Sequence, residues 1–392
     1  MKRTLLSILL ACLFSTCMYA FFPAYNYYLE LGGPLPNSVM GIAHDDANVY
    51  LVKLDGYLVI INKATGELKT VKTKVGGMDQ LQATSISVNG GKVWIGTLSP
   101  GTDAPKLMHY VNGRMASTGL KLSRGSYSWG WQEAIQNITF DPSGNAYVAT
   151  SGGFVFRIDP KNNITMFNLK WHGLFSDFCF APDGTYWVGR FHDPIYIYGL
   201  QHVDKNGEFT YFKGSWQEGL PYFRSSGVRC LDMDKEGGVW FAGKNGLNRI
   251  VNNEIAETYE CPKVCDGFGM RFDDEQRLWM TGYNGPLTMM KDGVFTSYPC
   301  PYDSKIWTCM DVDGDTVYIG TDRSLLIFKD GEYTEILFDG STPSMDVNEL
   351  TGVDAVSTSA EDAPCFDLQG RRLNGLPQRG MYIRDGRKYV VK

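Results

Sequence analysis

The residues best suited to touch a ligand are aromatic, and they crowd into a few irregular stretches. Leu98–Pro105, Gly119–Ala134, Trp171–Phe175, Arg190–Pro194 and Gly214–Ser226 carry Tyr127, Trp129, Trp131, Trp171, His172, Phe191, His192, Trp216, Tyr222, Phe223 and Arg224. Rings beside polar groups suit sugars, whose CH faces stack and whose hydroxyls take hydrogen bonds, and they suit peptides nearly as well. Loops this aromatic are costly to leave in water, so they bind something or pack over the edges of the fold. The ligand-binding candidates are Tyr127, Trp129, Trp131, Trp171, His172, His192, Trp216, Tyr222, Arg224 and, in a further short connection, Tyr283.

Catalysis finds less support, and no catalytic residue is assigned. The only histidines are His44, His109, His172, His192 and His202. His172 and His192 fall on two of the aromatic stretches and could converge on one substrate or metal, although a lone loop histidine is more often a solvated surface residue. No G-x-S-x-G elbow, H-E-x-x-H pair or phosphate-cradling glycine loop is present. Asp311-Val312-Asp313-Gly314-Asp315 has a trace of a calcium loop, but Arg323 stands where the bidentate glutamate belongs. Cys261-Pro262-Lys263-Val264-Cys265 lacks a second pair of zinc ligands. Neither a metal nor a cofactor is implied.

The elements that must position these loops repeat. NVYLVK, KVWIGT, NAYVAT, TYWVGR, GVWFAG, RLWMTG and TVYIGT place an aromatic residue at Tyr50, Trp94, Tyr147, Trp187, Trp240, Trp279 and Tyr318. A polar or Gly-containing turn precedes each, and a third strand such as FVFRI or LLIF follows. In most copies a DG or NG hairpin signal then leads to a fourth strand. Four short strands repeating every 39 to 53 residues predict an all-β, seven-bladed β-propeller. The 44 glycines and 13% aromatic content agree, and no long stretch has helical periodicity. The recurrent aromatic is expected to pack between blades, with the Gly or Ala after it admitting close approach. The outer strand of the last blade is open between Asn26–Leu31 and Tyr333–Leu337.

GLPYFRSSGVRCLDMDKEGGVWFAGKNGLNRI resembles a two-component regulator propeller repeat, whose pattern is GLP, an apolar strand, D-x-x-G, WIGT and GL; GGPLPNSV and KVWIGT carry fragments of it. The resemblance implies a periplasmic glycan-sensing propeller. The chain has one ring of blades and no kinase, which excludes phosphotransfer and leaves glycan sensing as analogy. The D-x-x-G-x-x-W-F spelling is also similar to streptogramin-lyase-like propellers, which implies a lyase or hydrolase with a loop-face histidine as the alternative. Those enzymes use a histidine base and acidic Mg²⁺ ligands in late blades, whereas Cys265–Leu337 contains no histidine.

The ends have a different character. Lys2-Arg3, the apolar run Leu5–Phe14 and small residues up to Ala20 read as a secretory signal over residues 1–20. Leu9-Leu10-Ala11-Cys12 resembles a bacterial lipoprotein cleavage box, which would leave Cys12 lipidated and the protein anchored, the lesser alternative because the apolar run before Cys12 is very short. No other apolar run reaches transmembrane length. The propeller is expected over 21–337, a Ser-, Thr- and Asp-rich linker over 338–364, and a small strand-rich tail over 365–392. With DLQGRR, a G-x-Y-I strand and a closing basic strand, the tail resembles the sorting domain of Bacteroidetes type IX secretion, which implies contact with secretion machinery. Of the net charge of −6, the signal contributes +2 and Cys365–Lys392 +5, leaving −13 elsewhere, which argues against nucleic acid as a partner. Seven of nine cysteines follow Ala20; Cys179, Cys230 and Cys309 read as buried strand residues, while the pairing of Cys261, Cys265 and Cys300 is left open. The whole reads as an extracytoplasmic binding protein for a glycan or protein.

Overall fold

Between Val39 and Asp339 the chain of this computed structural model passes through seven consecutive antiparallel sheets, each with its first four strands side by side in chain order. The structure describes residues 37–74, 81–98, 106–120, 122, 134–150, 154–168, 174–181, 183–191, 198–213, 228, 230–243, 246–260, 269–282, 286–302, 306–339, 342–343, 365–366, 372–373, 380–384 and 387–391. The first strands of the sheets are Val39–His44, Ala83–Asn89, Ile135–Phe140, Leu174–Phe180, Cys230–Met233, Gly269–Phe272 and Trp307–Asp313. Each packs on the next, and Trp307–Asp313 packs back on Val39–His44. They form the inner wall of a closed seven-bladed β-propeller, the expected fold.

The repeated sequence explains the ring. Every recurrent aromatic faces the blade that follows it. Tyr50 packs with Ala83 and Ile95, Trp187 with Leu231 and Phe241, Trp240 with Met270 and Leu278, Trp279 with Val317 and Ile319, and Tyr318 with Val39 and Ile42. A turn aspartate fixes many of these rings. Asp234 accepts the backbone N–H of Glu236 and Gly238 on one oxygen and the Trp240 indole N–H, at 2.8 Å, on the other. Asp273 does the same for Glu275, Arg277 and Trp279, and Asp45 for Ala47, Asn48 and the Tyr50 hydroxyl. One carboxylate thus shapes the turn and satisfies a buried ring donor. Gly96 and Gly320 follow two residues after the aromatic; a Cβ there would fall 2.5 Å from Ile135 and 2.8 Å from Val39, atoms of the next blade.

Among the described residues blade 7 closes on blade 1 without exchanging a strand, since Glu332–Asp339 is its fourth strand and Thr342–Pro343 pairs outside that. Asn26–Leu31, the rival for that role, lies outside the described residues. Two boundaries move. Phe338, expected to open the linker, is 5% exposed and packs in the blade 7–blade 1 core, so apolar burial carries the strand past residue 337. Phe175, Arg190 and Phe191, expected in loops, are strand residues, because Leu174–Phe191 and Phe175–Arg190 pair across the first hairpin of blade 4. In the tail, Cys365–Phe366, Arg372–Leu373, Gly380–Arg384 and Arg387–Val391 pair as a further sheet. Among the described residues no helix is long and apolar enough to cross a membrane.

Candidate functional site

Tyr127, Trp129, Trp131, Trp171, His172, His192, Trp216, Tyr222, Arg224 and Tyr283 all lie outside the described residues, as do Phe223, Cys261 and Cys265. The strand ends that flank them are described. They belong to second-to-third and fourth-to-first connections, and in antiparallel sheets of this order both kinds start and finish at the same end of the strands. The flanking ends, among them Ala134, Asn168, Lys213 and Val228, therefore share one rim of the ring. The tight first-to-second and third-to-fourth turns occupy the other.

The described site is the channel at the ring's centre, a cavity of about 420 Å³ walled by the inner strands of six blades. The register sets Ala43, Ser87, Thr139, Cys179, Asp232, Arg271 and Asp311 opposite the recurrent aromatics, and of these Ala43, Ser87, Thr139, Arg271 and Asp311 line the cavity. Blades 1 to 4 put small or uncharged groups there, and blades 5 to 7 put charges. Arg271 Nη1 donates to Asp177 Oδ2 at 2.9 Å and to the carbonyls of Met270 and Leu231 at 2.7 and 3.5 Å. Asp177 sits in a bulge of the blade 4 inner strand, where the register slips between Phe175 and Phe178. Such a bulge re-aims side chains, and here it lets Asp177 reach two blades away. Asp177 also accepts from Asn137 Nδ2 at 3.2 Å and from the backbone N–H of Phe178 and Leu231.

Asp177 is nearly enclosed, with 8% of its side chain exposed, while 35% of the Arg271 side chain is exposed. The Asp177 charge holds Arg271 further above its already high pKa, against the opposing effect of burial. Burial raises the pKa of Asp232 beside it, with Arg271 and the N–H groups of Phe272 and Met233 pulling the other way. On the opposite flank His44 Nδ1 lies 2.7 Å from Asp311 Oδ2, and Nε2 lies 3.6 Å from Asp313. The hydrogen bond to Asp311 is the largest cause raising the His44 pKa, and burial works against it. Burial pushes the Cys309 thiol up to about 12 and Cys179, in the blade core, well above its usual value, which disfavours the nucleophilic thiolate at both.

The other described histidines are structural. The His202 ring stacks on Trp187 with centroids 4.4 Å apart, and His109 meets Trp94 edge-on at 6.1 Å; burial lowers both pKa values. Asp311, Asp313 and Asp315 are each taken by a cation, His44, Lys63 and Lys329 respectively. Among the described residues no group of three or more acidic, His or Cys side chains could hold a metal. Sequence reading passed over Arg271, Asp177 and His44. The one signal available was an arginine on an inner strand, at a position where four other blades carry Ala, Ser, Thr or Cys.

No protein-family model and no curated protein matches the sequence. Among solved structures, virginiamycin B lyase from Staphylococcus aureus is similar at a TM-score of 0.58 and 16% identity, over 74% of this chain and 94% of that one. Ycf48 from Cyanidioschyzon merolae follows at 0.55 and 13%, over 76% and 96%. The likeness is one of fold. PorZ, a surface component of the type-IX secretion system of Porphyromonas gingivalis, matches at 0.57 and 14%, over 91% of this chain and 55% of PorZ, so the chain spans about half of PorZ's length.

Proposed function

We propose that this chain is an exported, non-enzymatic binding protein that takes a glycan or protein ligand on the rim where the blade-to-blade connections meet. The partition of its tryptophans carries the reading. Trp94, Trp187, Trp240, Trp279 and Trp307 pack into the blade stack. The other four, Trp129, Trp131, Trp171 and Trp216, fall in three connections that leave from one rim. Scaffold needs explain the first five. Repetition does not explain the four, and tryptophan is the side chain most often found at the centre of binding sites. The fold accommodates such a role, since Ycf48 has been captured with a D1 peptide. Export is supported by the signal-like residues 1–20 and by the sorting-like tail.

A lyase remains the second reading, because the lyase of S. aureus shares the fold and a catalytically inactive histidine-to-alanine form of it holds quinupristin. It is weakened by the lack of any histidine in Cys265–Leu337 and by the structural roles of His44, His109 and His202. Glycan and peptide arrays probed with the full chain should show binding that drops at least about tenfold in Trp129→Ala, Trp131→Ala or Trp216→Ala. Binding kept intact in all three variants would sink the rim assignment.

A further inference from the structure

The channel deepens that reading and rests on its glycan branch. The charges of the side chains that line it cancel in pairs, one reaching across two blades and one across the seam of blades 7 and 1. Arg271 is matched by Asp177, and His44 by Asp311, so the charged half of the lining offers no surplus charge to an incoming ion. The hydrogen bond to Asp311 raises the His44 pKa, which favours the protonated imidazole in that pair. The facing half, in blades 2 and 3, is uncharged and mixes polar side chains with Ile86, Val88 and Ile138. The Ser87 and Thr139 hydroxyls line the cavity with no hydrogen-bond partner among the described residues, and Asn137 gives its N–H to Asp177, which leaves its carbonyl oxygen for a guest. Arg271 spends Nη1 on the protein, while Nε and Nη2 have no partner among the described residues.

A cavity of about 420 Å³ lies in the range of small-molecule sites. It presents planar donors on one side and hydroxyls on the other. We propose that the channel is a receptacle for one neutral pyranose ring, with Arg271 Nε and Nη2, Ser87, Thr139 and the Asn137 carbonyl hydrogen-bonding its hydroxyls. The neutrality of the lining is what selects the class. A carboxylate would meet Asp177 and Asp311, an ammonium group would meet Arg271, and each would lose its water with no unpaired countercharge to replace it.

Isothermal titration of the full chain with glucose, galactose, mannose, fucose and N-acetylglucosamine tests this, with glucuronate and glucosamine as charged controls. At least one neutral sugar should bind one-to-one, and each charged control should bind at least about tenfold more weakly than the tightest neutral sugar. Ser87→Ala and Thr139→Val, which leave both ion pairs intact, should each weaken that binding about fivefold without moving the melting temperature. Failure of every neutral sugar to bind overturns the proposal. So does binding unchanged in both variants, or a charged control that binds more tightly. The rim variants separate the two readings. Monosaccharide binding that persists when Trp129→Ala, Trp131→Ala and Trp216→Ala leave oligosaccharide binding untouched keeps the channel and removes the rim. Oligosaccharide binding lost in those variants, with no monosaccharide bound, does the reverse.

Discussion

Asp177 accepts hydrogen bonds from Asn137, Phe178, Leu231 and Arg271, residues of four consecutive blades. Its cost is set by whichever partner is taken away. Arg271→Met leaves an enclosed carboxylate without its countercharge and should lower stability by on the order of 3 kcal/mol, read from urea midpoints. Asp177→Asn keeps two acceptor bonds and should cost less. The double substitution Asp177→Asn with Arg271→Met should fall well short of the sum, because the buried charge and its partner leave together. A double variant equal to that sum would show that the two residues act independently. Asp234 makes a parallel case on the outer rim. Asp234→Ala strips the Glu236 and Gly238 N–H groups, the Trp240 indole and Arg249 of one shared acceptor, and a loss of about 2–3 kcal/mol in urea midpoints is expected.

Between elements, the seam of blades 7 and 1 is the joint most exposed to pH. Thr308 Oγ1 donates to the Val39 carbonyl at 2.5 Å, Ser38 to the Asp322 carbonyl at 3.4 Å, and His44 bridges to Asp311 with Asp313 and Lys63 alongside. The folded pKa of His44 is raised, so its contribution is complete below the unfolded value of about 6.5 and fades as pH rises through the folded value. His202 and His109 have lowered pKa values and act in the opposite sense, their stabilisation fading as pH falls. The difference between the protein and His44→Gln isolates the seam. It should be about 1–2 kcal/mol at pH 6 and shrink above pH 7.5 in urea titrations. A difference that is flat with pH would show that His44 is neutral in the seam.

Legibility followed repetition. Trp240 could be read from sequence because the same physical need, an aromatic facing the next blade after a tight turn, recurs around the ring. The cap that Asp234 supplies recurs at Asp45 and Asp273 but not at Trp94, whose indole N–H has no partner among the described residues. Arg271 could not be read, because its partner lies 94 residues away and the two meet only once the ring is closed and the blade 4 strand has bulged. Trp129, Trp131 and Trp216 stand outside the repeat, so no register fixes where they point. At the scale of the whole molecule, repetition also misplaced the end of the ring. The repeat pattern stops at Leu337, but burial continues. Phe338 packs with Val39, Ile42 and Ile336, and its ring lies 5.2 Å from the ammonium of the fully buried Lys53. A chain ending at residue 337 therefore loses a core aromatic at the seam where the last blade meets the first. That should remove about 3 kcal/mol and lower the melting temperature by roughly 5 °C. A chain ending at residue 343 keeps Phe338 and the added pairing of Thr342–Pro343, and should melt with the full chain. Thermal melts followed by circular dichroism separate the two. Equal melting of both shortened chains would mean that Phe338 contributes nothing to closure and that the ring ends where its repeats do.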